Sequence, residues 1–273
     1  MQSTLVDIGV NLASERFDND REAVLRRARD AGVEHCVITG TSLASSLDAV
    51  LICQRLGEAF PGMLSCTAGL HPHGADRHGP ETRRELRDLA REHPGIVVAI
   101  GETGLDFNRN FSSPAAQEQA FEAQLELAAE LGLPLFLHER DAAERQHQIL
   151  RSWRDSISRA VIHCFTGDRK SLYRYLDLDL HIGITGWICD ERRGLELQGL
   201  IRDIPLDRLM IETDAPYLVP RTLKPKPKNG RNEPAFLPEV LAVVASHRPE
   251  DSETIALATR DNARLFFGLP AAG

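Results

Sequence analysis

Short apolar runs alternate along the chain with longer stretches in which apolar residues recur every three or four positions. The runs predict strands at 5–10, 36–39, 64–68, 96–100, 134–137, 160–163, 181–184 and 209–211. Most are apolar on both faces, as parallel strands covered by helices must be. The intervening stretches carry helix punctuation. Ser113 is placed to cap a helix that Pro114 opens, Phe121, Leu125 and Ala128 form its apolar stripe, and Gly132 ends it before Pro134. The first helix is predicted to begin at Asp18 or Asp20, to bury Val24, Ala28 and Ala31, and to close at Gly32. Eight such βα units with no low-complexity linker predict one α/β domain over residues 1–273, a TIM (β/α)8 barrel, with an added helix over 252–267 closing it. An open doubly wound sheet would need a Gly-rich phosphate loop after an early strand, and none is present.

Four ligand-type side chains follow these runs: Glu102, His138, His163 and Asp214. Strand ends of a parallel barrel share one face, so the four are expected to meet there. A charged or imidazole group ending a buried strand needs a partner, and a shared cation would supply one. Nitrogen and oxygen donors without thiolate permit Mg²⁺, Mn²⁺ or Zn²⁺ and do not choose among them. Glu102, His138 and His163 are assigned as metal ligands, and Asp214 as ligand or general base.

Composition narrows the setting. Of the 273 residues, 42% are hydrophobic and 26% charged, which suits a soluble globular chain. The start of the chain lacks a basic segment followed by an apolar one, and no apolar run approaches a membrane span, so a cytoplasmic location is expected. Five scattered cysteines with no Cys-x-x-Cys predict neither disulfides nor a thiolate metal site. A net charge of −8 disfavours broad adhesion to nucleic acid, so a polyanion would have to be met by local basic groups.

Five ordered strings carry a resemblance: Asp7-Ile8-Gly9-Val10-Asn11-Leu12, Gly69-Leu70-His71-Pro72-His73, Gly101-Glu102-Thr103-Gly104-Leu105-Asp106, His163-Cys164-Phe165-Thr166-Gly167 and Glu212-Thr213-Asp214-Ala215-Pro216-Tyr217. Together they resemble the TatD family of metal-dependent deoxyribonucleases. The resemblance implies a metallo-dependent hydrolase barrel that trims single-stranded DNA from the 3′ end, with RNA also cut by some members and magnesium the usual metal. DNA repair or turnover is the implied setting, with no obligate protein partner. Many relatives carry His-x-His after the first strand, whereas Gly9 and Asn11 stand here. Glu139 replaces a residue that is commonly small or Cys and is read as solvated.

Phosphodiester cleavage needs a nucleophilic water, charge stabilisation at phosphoryl oxygens and protonation of the departing oxygen. Asp214 and Glu102 suit the first two tasks, and His71 a proton donation or a phosphate contact, with His73 a second candidate for that contact. Five basic residues and no acidic one lie between Arg221 and Arg231, so Lys224, Lys226 and Arg231 are expected to meet the backbone, joined by Arg109 and Arg140. Phe107 and Trp187 are candidate base platforms or core residues, and Asp7 and Asp106 candidates to orient a ligand or cap a turn. Two other functions fit the same barrel: an amidohydrolase or lactonase acting on a small neutral substrate, and a binding barrel without catalysis.

Overall fold

The computed structural model describes residues 4–269. Eight strands, β1 (Leu5–Val10), β2 (Val33–Ile38), β3 (Leu64–Ala68), β4 (Val97–Asp106), β5 (Leu135–Arg140), β6 (Ala160–Ile162), β7 (His181–Ile184) and β8 (Leu209–Ile211), form one sheet in sequence order with every pairing parallel. The sheet curls until its first and last strands meet. Beyond the paired strands, Asn11 N donates to Ala215 O at 2.7 Å and Asp214 N to Gly9 O at 2.9 Å. Helices α1 (Arg21–Asp30), α2 (Leu43–Leu56), α3 (Pro80–Glu92), α4 (Pro114–Leu131), α5 (Ala143–Trp153), α6 (Arg169–Asp177), α7 (Leu195–Leu200) and α8 (Leu237–Ser246) follow the eight strands in turn. This is the TIM barrel the pattern predicts.

The punctuation acts as expected in α4: the Ser113 hydroxyl accepts from Ala116 N, and Gly132 adopts the left-handed conformation that ends the helix. Strand bounds differ from the pattern where polar residues interrupt a buried run. β2 starts three residues early because Glu34 pairs with Arg264 and His35 bonds Gly62 O and Ser65 Oγ. β4 extends to Asp106 through a polar, Gly-rich stretch that continues to pair with β5.

Two apolar layers hold the barrel. Between sheet and helices packs a continuous layer that includes Leu25, Ile38, Phe121 and Tyr175. Inside the barrel, Val6, Ile8, Val37, Val98, Phe136, Val161 and Met210 pack together with Phe266 and Phe267. The two phenylalanines end helix α9 (Ser252–Phe267), which plugs the barrel at the end where the strands begin, leaving the opposite mouth for chemistry. Among the described residues no helix is long and apolar enough to cross a membrane.

Two imidazoles tie this framework to pH. Burial pushes His35 down to about 4, and His181, whose ring edge meets Phe266, also to about 4. The folded state keeps both rings neutral while the unfolded chain protonates them near 6.5, so stability is full above that pH and is lost as pH falls towards 4. At pH 5 the His35 contribution amounts to about 2 kcal/mol. Urea unfolding of His35→Gln at pH 7 and pH 5 is expected to show a smaller loss between the two than the wild type. An equal loss would mean the ring does not stay neutral in the fold.

Candidate active site

The C-terminal strand ends surround a cavity of about 690 Å³. Glu102 lies within β4, His138 within β5, His163 one residue past β6 and Asp214 three past β8, and all four line that cavity. Imidazoles from three strand ends converge on one atom of Glu102. Glu102 Oε1 stands 2.8 Å from His163 Nε2, 2.9 Å from His138 Nδ1 and 3.3 Å from His71 Nε2. Burial alone would raise the Glu102 pKa, but the three imidazoles outweigh it and hold this carboxyl well below its usual range. Burial likewise opposes charging of His163, and the Glu102 and Glu212 carboxylates reverse that and raise it well above the ordinary imidazole value.

A second set of carboxylates stands behind the first. Glu212, fully buried, accepts from Cys164 N at 2.5 Å and faces His163 Nδ1 at 3.4 Å. Asp106 accepts from His73 Nε2 at 2.6 Å and lies 3.5 Å from His138 Nε2, while its other oxygen caps the turn through Asn108 N and Arg109 N. Those bonds outweigh burial and keep its pKa low. Asp7, the other orienting candidate, accepts from Thr213 N and Oγ1 and so fixes the residue before Asp214. Carboxylates behind imidazoles set ring orientation in metal sites.

Asp214 differs in character. Burial, with the Glu102 and Glu212 charges nearby, pushes its carboxyl up to about 7, and Asn11 Nδ2 donates to its Oδ1 at 2.9 Å. Asn11 therefore serves the site as a donor that steadies Asp214. Gly9 has an equally direct reason: a Cβ there would fall 2.2 Å from Glu212 Oε2, so the Glu212 carboxylate occupies the room that a side chain at position 9 would need.

Tautomers separate the imidazoles. His71 Nδ1 lies 3.1 Å from the backbone N–H of His73, which can only donate, so the neutral ring carries its proton on Nε2 and directs it at Glu102. His71 is thus set as a hydrogen-bond donor. In contrast, His138 Nε2 is buried and, short of a close hydrogen bond, faces Asp106 Oδ2 across 3.5 Å. One nitrogen or oxygen from each of His71, Glu102 and His138 lies within 4.8 Å of the others. A cluster of imidazole nitrogens and carboxylate oxygens without thiolate fits a divalent cation.

The remaining predicted contacts divide. His73, Arg109 and Arg140 line the cavity, as does Trp187, whereas Phe107 packs on the core. Lys224 and Lys226 are exposed on the loop after β8 but do not line the cavity. Arg231 corrects the expectation of a substrate contact: it is 8% exposed, bonded to Asp20 and Glu233, and stacked 4.8 Å above the Phe17 ring. These contacts brace the loop after β8 against the start of α1. Glu139 is half-buried at the cavity wall, where its carboxylate accepts from Ala142 N at the start of α5. Arg77 and Tyr217 also line the cavity and were not singled out in the sequence, nor was Glu212 behind His163.

Comparison with known proteins agrees with this geometry. A family model described as TatD related DNase matches residues 6–268. A protein of Klebsiella pneumoniae (strain 342) named 3'-5' ssDNA/RNA exonuclease TatD is 52% identical over 269 residues, covering 98% of this chain and 100% of its own. One of the same name from Rahnella sp. (strain Y9602) is 53% identical over 267 residues, covering 98% and 99%. Among solved structures, YJJV, a TatD homolog from Escherichia coli k12, superposes with a TM-score of 0.88 at 28% identity, covering 99% of this chain and 100% of that one. Matched by that family model and by these relatives along almost its whole length, the chain belongs to the family of TatD-related DNases.

Proposed function

We propose that this protein is a divalent-metal-dependent exonuclease that removes nucleotides from the 3′ end of single-stranded DNA, with RNA as a second substrate. The observation that carries the reading is the convergence of His71, His138 and His163 on Glu102 beside Asp214, in a chain that shares half its residues with proteins named for that activity. Mg²⁺ is the expected metal, with Mn²⁺ or Zn²⁺ chemically admissible. The proposed setting is DNA repair or turnover in the cytoplasm, without a membrane or an obligate protein partner. A small neutral amide or lactone would give Arg109 and Arg140 at the cavity wall nothing to bind, and a merely binding barrel would not need three imidazoles gathered on one buried carboxylate.

Glu102, His138 and His163 would hold the ion, with Asp214 as a further ligand or as the base. When bound, the metal supplies charge stabilisation to the phosphoryl oxygens and makes water more acidic. Asp214, held by Asn11 at the cavity wall, is placed to take a proton from the attacking water. As water adds to phosphorus and the bond to the upstream 3′ oxygen breaks, the proton that Asp214 takes from the water returns to that oxygen, and His71, neutral with its N–H on Nε2, donates a hydrogen bond to the phosphate. Arg109, Arg140 and His73 orient the phosphate. Glu212 and Asp106 hold the His163 and His138 rings so that little reorganisation remains for the transition state.

A single-stranded oligonucleotide labelled at its 3′ end is expected to release labelled mononucleotide from the first turnover when Mg²⁺ is present and not when it is chelated. Glu102→Ala and His138→Ala should each reduce that release by at least about 100-fold and weaken Mn²⁺ binding by calorimetry. Digestion unaffected by both substitutions would refute the site.

Lys224 and Lys226, outside the cavity, act at longer range by drawing in the polyanion. Replacing both with Ala is expected to lower kcat/KM several-fold at low salt, leave kcat unchanged, and make no difference in about 0.5 M salt, where charges separated by more than a few ångströms are screened. A loss that persists at high salt would place these lysines in direct contact instead.

A further inference from the structure

The cavity mouth has two unlike sides. On the side built by β3, β4 and β5 stand Arg77, ending the 3-10 turn Pro72–Arg77 after β3, Arg109 in the turn after β4, and Arg140 at the end of β5. All three are exposed, and among the described residues none forms an ion pair with an acidic group. Other arginines near the same mouth are engaged: Arg221 with Glu191, Arg231 with Asp20 and Arg193 with Asp190. Three uncommitted guanidinium groups on one wall repel one another, and their planar donor forks match phosphate oxygens.

Across the barrel, where β7 and β8 end, the wall is aromatic. Trp187 stands in the turn Gly186–Cys189 and Tyr217 three residues past Asp214. The indole is already occupied, with the Arg193 guanidinium 4.4 Å from its ring centroid and its N–H donating to Arg193 O. Tyr217 is 53% exposed, and its backbone N–H is held at 3.0 Å by Asp214 O, which fixes where the ring departs from the catalytic loop. A large, exposed ring anchored so close to a hydrolytic carboxylate offers a face to a flat apolar group.

We infer that the two walls sort the two halves of a nucleotide: the sugar-phosphate backbone runs along Arg77, Arg109 and Arg140, and a base near the 3′ end stacks on Tyr217. This rests on the exonuclease reading and adds to it the path of the strand. It assigns Arg77 a phosphate contact and makes Tyr217 the base platform. Stacking accepts any base face and guanidinium contacts accept any sequence, so the strand is held without sequence preference.

The test uses the Mg²⁺-loaded protein and a single-stranded oligonucleotide with phosphorothioate linkages at its 3′ end, with binding followed by fluorescence anisotropy over a series of salt concentrations. Arg77→Ala should weaken binding and reduce the slope of log Kd against log salt by about 0.7, the value for one phosphate contact on a single strand. Arg77→Lys should restore the slope. Tyr217→Ala should weaken binding by about tenfold with the slope unchanged, while Tyr217→Phe should match the wild type. An abasic nucleotide at one of the two 3′-terminal positions should cost the wild type the same factor and cost Tyr217→Ala nothing further. A full slope in Arg77→Ala, or equal sensitivity of wild type and Tyr217→Ala to the abasic site, overturns the inference even if an unprotected strand is digested normally. A wild type that neither binds the protected strand nor shortens the unprotected one sinks the exonuclease reading itself.

Discussion

A carboxylate withdrawn from water costs several kcal/mol unless other charges or donors compensate, and Glu102 sits almost wholly out of water inside β4. Three ring nitrogens from three different strand ends supply that compensation. The requirement constrains much of the rest. β3, β4, β5 and the segment after β6 must present their ends at one level, which only a parallel barrel in strict sequence order provides. Asp106 and Glu212 must then stand behind the rings to keep them aimed.

Much of the architecture could be read from the chain because barrel strands buried on both faces appear as uninterrupted apolar runs. The limits of that reading are equally physical. Glu34 and His35 hid the start of β2, since polar residues satisfied by distant partners look like loop in a linear string. The second half of β4 was hidden by glycines and by the site residues themselves. The meeting of Glu102, His138, His163 and Asp214 in one cavity was legible because each stood at or just past the end of such a run.

What the chain could not disclose was pairing across sequence distance. Arg231 belongs to a basic run that predicts a substrate contact, yet Asp20, far away in α1's approach, and Glu233 claim its guanidinium. Arg77 gave the opposite difficulty: it ends a 3-10 turn with no motif to mark it, and only its place in the cavity without an acid beside it distinguishes it from other surface arginines. Glu212 lay within a recognisable string, but its contact with the space above Gly9 exists only after the barrel closes.

That closure has a consequence for synthesis. Until Thr213, Asp214 and Ala215 have left the ribosome, Asp7 lacks both Thr213 donors, Asn11 lacks Asp214, and the outer edges of β1 and β7 have no neighbour. A nascent chain therefore exposes two ready strand edges and carries an incomplete hydrolytic centre through most of its translation. Cutting power arrives only with the segment that seals the cylinder, so an abortive fragment would be sticky before it could be destructive.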